Sequence, residues 1–258
     1  KDALLNLAFY LDYQYVEWNS VDAGIREIPR PPKARNTPRP VSNKIMHFVL
    51  KQHASAMEAK PAPDVLPATD DPQDISTASV SLAYLRWLNE PTAADIYTEV
   101  SDCSMWALAS SEGFLKWTWD AKNNRPDCMS CSPLEIYLDP YAKKFKNNRY
   151  FIHEQFMDVQ QVEAIYGKKV KPTTASRAEI AKAAILRDMG MSPVLSGAVV
   201  NEIWVKPGAD ARWPDGLFAA WSNNEWLIAP QAFPYKHGRL PLTQIGAIPR
   251  PGSQHFTC

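Results

Sequence analysis

The chain has 258 residues, of which 28 are basic, 28 are acidic and 45% are hydrophobic. This length suits one large domain or two small ones, and the apolar content is sufficient for a sizeable core. The balanced charge argues against a protein that grips nucleic acid by neutralising phosphates, because such proteins usually carry a basic surplus. No apolar run approaches the ~20 residues that span a bilayer, so we expect no membrane segment. Four cysteines form no disulfide framework, which favours an intracellular protein.

The N-terminal part combines a short apolar stretch with a proline-rich one. Leu4, Leu7 and Leu11 allow a short helix, which Gly24 would end or disrupt. Residues 29–40 contain five prolines, which predict an extended backbone outside any sheet centre. This segment is either a basic arm that touches nucleic acid or a neighbouring chain, or a surface connection with solvated charges. Its basic residues are Arg30, Lys33, Arg35 and Arg39.

Three helices are predicted next, and we place the N-terminal segment at 1–42 and one α+β domain at 43–258. Asn43 is a good N-cap for the first helix, which Pro61 would end. Asp71 followed by Pro72 opens the second, which reaches about residue 89. The third is predicted to begin at Thr92 and to end before Gly113. We expect these residues of the second and third helices to face inward: Ile75, Ala78, Leu82, Leu85, Ile96, Val100, Cys103 and Ala107.

Alternating residues predict two antiparallel strands in the middle of the chain. Leu115, Trp117 and Trp119 share one face of the first strand, and Lys116 and Thr118 share the other. A second alternation covers residues 134–138, and the polar residues 120–127 between them carry turn chemistry. This period-2 pattern predicts half-buried strands of an antiparallel hairpin or meander.

The remaining sequence predicts further strands and two short helices. Strands are predicted over 150–156 and 199–206, and Asn223-Asn224 predicts a tight hairpin between 216–222 and 225–229. Capping residues predict one helix from Asp158 to Gly167 and another over 176–189, while little regular structure is expected after Pro230. The predicted fold class is therefore α+β, with antiparallel meander strands and flanking helices.

Few residues carry a recognisable chemistry. The pair in Cys128-Met-Ser-Cys131 has the spacing of half a zinc site or of a redox dithiol, but no second pair accompanies it. Turn or surface cysteines are the alternative. The carboxylates Asp70, Asp71 and Asp74 either form a divalent-metal cluster or stabilise the start of a helix through its dipole. No nucleophile elbow, phosphate-binding loop or dinucleotide fingerprint is present, so we expect no catalytic residue and no cofactor.

Several short signatures follow one another in a characteristic order over residues 40–255. They are Asn43-Lys-Ile, Asp71-Pro-Gln-Asp74, Gly113-Phe-Leu-Lys-Trp-Thr-Trp-Asp120, Ser132-Pro-Leu-Glu-Ile-Tyr-Leu-Asp139-Pro140, Phe233-Pro-Tyr235 and Pro251-Gly252. This ordered set resembles the front half of tailed-bacteriophage portal proteins, the head-to-tail connectors, and is most similar to the podovirus-like branch. The chain would then supply the wing of a portal subunit, as part of a longer polypeptide, and end near the first stem helix.

The resemblance implies a structural role without catalysis. Portal proteins form a homo-oligomeric ring, typically of twelve subunits, at one capsid vertex of the virion. Double-stranded DNA passes through the channel, the terminase motor docks on the ring during packaging, and the major capsid protein and tail adaptor proteins are further partners. The expected location is the virion, with the host cytoplasm during assembly. The stem, clip and crown would lie outside this chain, so no channel residue is assigned.

Two other hypotheses are kept beside the portal interpretation. The first is a metal-dependent phage enzyme, such as a nuclease, that uses the carboxylates near residue 71 or the cysteine pair. The second is a nucleic-acid-binding module that uses the basic arm at residues 29–40. Metal analysis with cleavage assays tests the first, and the salt dependence of binding by arm variants tests the second.

Overall fold

The computed structural model describes residues 1–20, 24–31, 37–58, 63–172 and 197–257. Within these ranges helices and antiparallel sheets contribute in similar amounts, which confirms the predicted α+β class. No helix in the described ranges has both the length and the apolar character that a membrane crossing requires. The helices are α1 Asp2–Tyr10, α2 Lys44–Glu58, α3 Pro72–Leu88, α4 Ile96–Ser110 and α5 Val159–Tyr166.

The strands form two hairpins and two larger sheets, all antiparallel. The N-terminal hairpin pairs β1 (Val16–Asn19) with β2 (Gly24–Glu27). The other strands are β3 Glu112–Asp120, β4 Arg125–Cys131, β5 Ile136–Leu138, β6 Tyr150–Met157, β7 Ala198–Val205, β8 Leu217–Ser222, β9 Glu225–Gln231, β10 Leu242–Gly246, β11 Ile248–Pro249 and β12 Phe256–Thr257. One sheet has the order β10-β3-β4, the other has the order β5-β6-β7-β8-β9, and β11 pairs with β12.

Strand β3 is buried on both faces over its first half, which the sequence did not predict. Phe114 packs with Phe151 and Trp204 of the five-stranded sheet, whereas Leu115 packs with Cys103 beneath α4. The prediction of a half-buried strand was therefore wrong for this half. The reason is topological: a strand at the centre of a sheet that lies between a helix and a second sheet has no solvent face.

Helix α5 covers a different part of the five-stranded sheet. Val162 of α5 is fully buried and packs with Val200 of β7 and Ala220 of β8. Because Val200 and Trp204 are an even number of residues apart on β7, both point to the same face. The three-stranded sheet and α5 thus occupy neighbouring positions on one face of the larger sheet.

The N-terminal residues fold as a helix followed by a hairpin. Leu4 and Ala8 of α1 are buried in a cluster with Trp18 and Leu134. Gly24 pairs with Asn19 at the start of β2, so the prediction that it ends the first helix was wrong. The helix ends at Tyr10, and the alternation of Val16, Glu17, Trp18 and Asn19 is the strand signal that the helical interpretation overlooked.

The partner of β3 also differs from the prediction. Strand β4 pairs with β3 along its length, with Pro126 opposite Trp119. The second predicted strand is reduced to β5, which pairs with β6 instead. Strand β4 lies at the edge of its sheet, where a proline is tolerated because one side of the strand needs no ladder hydrogen bonds. That proline and the absence of alternation made β4 look like a turn.

Helix starts are the best-predicted features of the chain. The side chain of Asn43 accepts a hydrogen bond from the Met46 backbone at 2.9 Å, and Asp158 caps α5 in the same manner. The third predicted helix was misplaced, because Asp95 rather than Thr92 is its N-cap residue. Of the residues expected to face inward, Ile75 is instead 50% exposed, whereas Ala78 and Cys103 are buried as predicted.

The C-terminal part contains one confirmed and one overlooked element. Asn223 and Asn224 have φ angles of 48° and 66°, as the predicted tight hairpin between β8 and β9 requires. The expectation of little structure after Pro230 was wrong, because β10 pairs with β3. Strand β10 has only five residues and ends at Gly246, so its alternation is short. The predicted helix over 176–189 and the predicted stop at Pro61 lie outside the described residues.

Candidate functional site

The basic arm is folded back onto the N-terminal hairpin where the structure describes it. The Arg39 guanidinium lies 3.3 Å from the Glu27 carboxylate, donates to the Ile28 carbonyl at 2.9 Å and stacks 4.7 Å from the Tyr15 ring centre. Arg30 is exposed and donates to the Thr37 carbonyl at 3.4 Å. The charge of Arg39 is thus engaged within the chain. Lys33 and Arg35 lie outside the described residues.

Two of the three carboxylates near the start of α3, Asp71 and Asp74, act as helix-start residues. Asp71 is the N-cap and accepts a hydrogen bond from the Gln73 backbone at 3.0 Å. Asp74 lies in the first turn and hydrogen-bonds the Thr69 hydroxyl, whereas Asp70 is exposed. No group of three or more metal-ligating side chains occurs in the described ranges. The contacts therefore match the capping and dipole interpretation of this cluster.

The cysteine pair lies on a strand and is buried. Cys128 packs against Cys103 and Leu115 beneath α4, whereas Cys131 belongs to the cluster around Phe114 on the opposite face of the sheet. Residues three apart on a strand point to opposite faces, so the two sulfurs cannot share a metal or form a disulfide. Burial raises the pKa of the Cys128 and Cys131 thiols to about 12, and the same holds for Cys103. The expectation of turn or surface cysteines was wrong.

A buried polar centre, formed by Lys116, His153, Glu202 and Tyr166, lies between the two sheets and α5. The Lys116 ammonium donates to the Glu202 carboxylate and lies 3.0 Å from His153 Nδ1. Tyr166 at the end of α5 donates to the other Glu202 oxygen at 3.0 Å. His153 and Glu202 are directly opposite each other on β6 and β7. The centre therefore connects four elements, β3, β6, α5 and β7.

The charges of this centre set the titration of its members. Burial acts to raise the pKa of Glu202, but the Lys116 ammonium and the hydrogen bond from it outweigh burial, so the pKa lies below its ordinary value. Burial and the neighbouring Glu202 carboxylate raise the pKa of Tyr166. His153 is fully buried and Lys116 is only 4% exposed. The arrangement ties the two sheets and α5 together.

The sequence contained a signal for this centre that the pattern analysis did not use. Lys116 lies on the same face of its strand as the buried Phe114, and His153 lies on the same face as Phe151. Glu202 likewise shares a face of its strand with Val200 and Trp204. A polar residue that shares a strand face with buried apolar residues needs a hydrogen-bond partner in the core. Three such residues on three strands indicate a buried network, although the sequence gives no information about which strands meet.

Exposed apolar side chains are concentrated on the two helices after the arm. Val80, Tyr84 and Trp87 of α3 are 68%, 43% and 39% exposed, and we call these three residues the outer stripe of α3. Their spacing of four and three residues places them on one helical face. Ala78, about 160° around the helix from Val80 at about 100° per residue, is buried, and so is Leu88, the last residue of α3. Helix α2 likewise buries Val49 and leaves Phe48 63% exposed.

Helix α3 thus buries few of its residues and leaves the outer stripe exposed to solvent. A surface of this kind usually marks contact with another macromolecule, because isolated apolar residues are common but aligned ones are not. The chain matches no protein-family model and no curated protein, so the residues themselves carry the argument for its function.

Proposed function

We propose that this chain is the wing part of a bacteriophage portal subunit, which acts by assembling into a ring around a passage for double-stranded DNA. The outer stripe of α3 is the observation that carries the assembly part of this proposal. A helix that presents aligned valine, tyrosine and tryptophan side chains to water gains stability when a second protein surface covers them. Tyrosine and tryptophan are also the residue types most enriched at such contacts.

Two further features support the same proposal. The signature order over residues 40–255 resembles portal proteins, and an α+β fold with antiparallel sheets suits their wing region. The balanced charge of 28 basic and 28 acidic residues suits a passage through which DNA slides, because strong phosphate binding would hinder movement. The motor, the capsid protein and the tail adaptors belong to the proposal as partners of the complete ring.

The test is the mass and shape of the particles that the chain forms at micromolar concentration. We expect closed rings in end-on class averages and a ring mass by light scattering. Val80→Lys and Tyr84→Lys should shift the population to protomers, because each places a charge in the middle of a desolvated contact. A monomer with an unchanged mass at high concentration contradicts the proposal.

A matched control comes from the same helix. Ser79 is exposed and lies about 140° around the helix from Tyr84, at about 100° per residue. Ser79→Lys adds the same charge outside the outer stripe and should leave the particle mass unchanged. If Ser79→Lys disrupts assembly as strongly as Tyr84→Lys does, the effect comes from charge and the outer stripe is not the contact.

A further inference from the structure

A cleft of about 490 Å³ opens between α1, α4 and β4, away from the outer stripe of α3. Its walls are mostly apolar and include Tyr10 of α1, Trp106 of α4 and Met129 of β4. Clefts of this size, with apolar walls and a few polar groups, are typical places for a bound side chain or small ligand. The question is which chemistry the polar groups would accept.

Two carboxylates form one edge of the cleft. Glu99 and Asp102 are three residues apart on α4, so they lie on the same helical face as neighbours. Glu99 accepts a hydrogen bond from the Ser130 backbone, and Asp102 is exposed at the rim. In the part of the chain that the structure describes, neither carboxylate forms a salt bridge with a basic side chain. This edge therefore attracts a cation.

A third polar group in the cleft lacks a partner. The Ser130 hydroxyl oxygen is buried and has no hydrogen-bond partner among the described residues. Buried hydroxyl groups are almost always hydrogen-bonded, so an unused one beside a cleft indicates a missing partner, to which its oxygen is able to act as an acceptor. Together with the two carboxylates it forms a set of acceptors next to aromatic and thioether walls.

We propose that this cleft receives the side chain of an arginine from a partner protein. A guanidinium group offers five donors in one plane, which suits two carboxylates and a hydroxyl oxygen better than the point charge of lysine. Its flat face stacks on aromatic rings such as Trp106 and Tyr10, and its aliphatic stem packs on apolar walls. The two carboxylates repel phosphate, so the cleft does not select nucleic acid.

The proposal is tested with a capped Gly-Arg-Gly peptide and its Gly-citrulline-Gly counterpart, which has the same shape without the charge. Calorimetry or chemical-shift titration of the full chain should give at least about tenfold tighter binding of the arginine peptide, equivalent to about 1.4 kcal/mol. Equal affinity for the two peptides, or no binding of the arginine peptide, overturns the proposal.

Variants locate the binding on the chain. Asp102→Asn and Glu99→Gln should each lower the affinity for the arginine peptide by about tenfold and leave the affinity for the citrulline peptide unchanged. Asp102 is exposed, so its replacement does not endanger folding, and Glu90→Gln on an exposed loop is the matched control. If Asp102→Asn and Glu99→Gln bind like the control, the peptide binds elsewhere and the cleft is not its site. These measurements do not depend on ring formation, so their failure is distinct from failure of the proposed function.

Discussion

Lys116 on β3 donates a hydrogen bond to Glu202 on β7, so one buried ion pair joins the three-stranded sheet to the five-stranded sheet. The side chains of Lys116 and Glu202 are 4% and 11% exposed. An ion pair in such a place contributes little net stability, yet removing one partner leaves the other charge buried and unpaired. Replacing only one of the two residues is therefore a sensitive test of the contact between the two sheets.

Lys116→Met should lower the free energy of unfolding by about 3–5 kcal/mol, because Glu202 then stays buried without its cation. Adding Glu202→Gln to that variant should recover part of the loss, with a coupling energy of about 1 kcal/mol or more. Urea denaturation measures both. The control Lys122→Met, in the exposed β3–β4 turn, should change stability by about 0.5 kcal/mol at most. Additive losses in the double variant would show that the pair is not coupled.

Gly113→Ala should destabilise the chain because α4 lies directly against β3 at this glycine. A Cβ atom at this position would lie 2.4 Å from the Cys103 carbonyl oxygen, so helix and strand would have to separate. We expect a loss of about 3 kcal/mol, the upper end for overpacking, measured by urea denaturation. A Cβ atom at Gly167 would have no other atom within 4 Å. Gly167→Ala should therefore lower stability only through the backbone strain of its φ of 67°, by about 1–2 kcal/mol. A smaller effect at Gly113 than at Gly167 contradicts the close packing.

Asp71→Ala should cost about 1 kcal/mol of stability, because it removes the side chain that caps α3. The neighbouring carboxylate provides the matched control. Asp70 has the same charge and is exposed, so Asp70→Ala should have an effect within about 0.5 kcal/mol. Chemical denaturation monitored by circular dichroism gives the unfolding free energies of the Asp71→Ala and Asp70→Ala variants. Equal losses would mean that charge near the helix start matters and the hydrogen bond to Gln73 does not.

The contact between His255 and Glu112 should make stability depend on pH. The His255 Nδ1 atom lies 2.9 Å from the Glu112 carboxylate. This hydrogen bond raises the pKa of His255 above its ordinary value of 6.5, although burial and the charge of Arg250 act to lower it. Stabilisation is therefore complete below about pH 6.5. It is lost as the pH rises through the higher pKa of the folded state. Gln244, which also donates to Glu112, does not titrate.

The measurement compares melting temperatures of the wild type and His255→Gln at pH 5.5 and pH 8.5. We expect the wild type to be more stable than the variant at the lower pH and the difference to shrink at the higher pH. An NMR titration of the His255 ring gives its pKa directly. A pKa at or below the ordinary value would contradict the hydrogen bond to Glu112.

Cys103, Cys128 and Cys131 should resist thiol reagents in the folded chain. All three are buried and have a pKa raised to about 12, so neither access nor the reactive thiolate is available near neutral pH. Mass spectrometry after brief iodoacetamide treatment should find these three unmodified in buffer and modified in urea. Rapid native labelling of Cys128 together with Cys131 would support the dithiol hypothesis instead.

The sequence predicted local features well and long-range features poorly. The caps at Asn43, Asp71 and Asp158 were found because a cap depends on residues within one turn. Strand β4 was overlooked because its formation depends on pairing with β3, which its own residues do not encode as alternation. The burial of Lys116 depends on a second sheet, where its partner Glu202 lies 86 residues further along the chain, and sequence spacing does not report that the two residues meet.

The prolines in the sheets have a consequence for how copies of this chain can meet. Pro126 lies in the edge strand β4 and Pro230 in the edge strand β9, while the opposite edge of the larger sheet is β5, with only three residues. Proline removes a ladder donor, and a strand this short offers few hydrogen bonds to another chain. Neighbouring molecules are thus discouraged from adding a strand beside β4 or at either edge of the larger sheet.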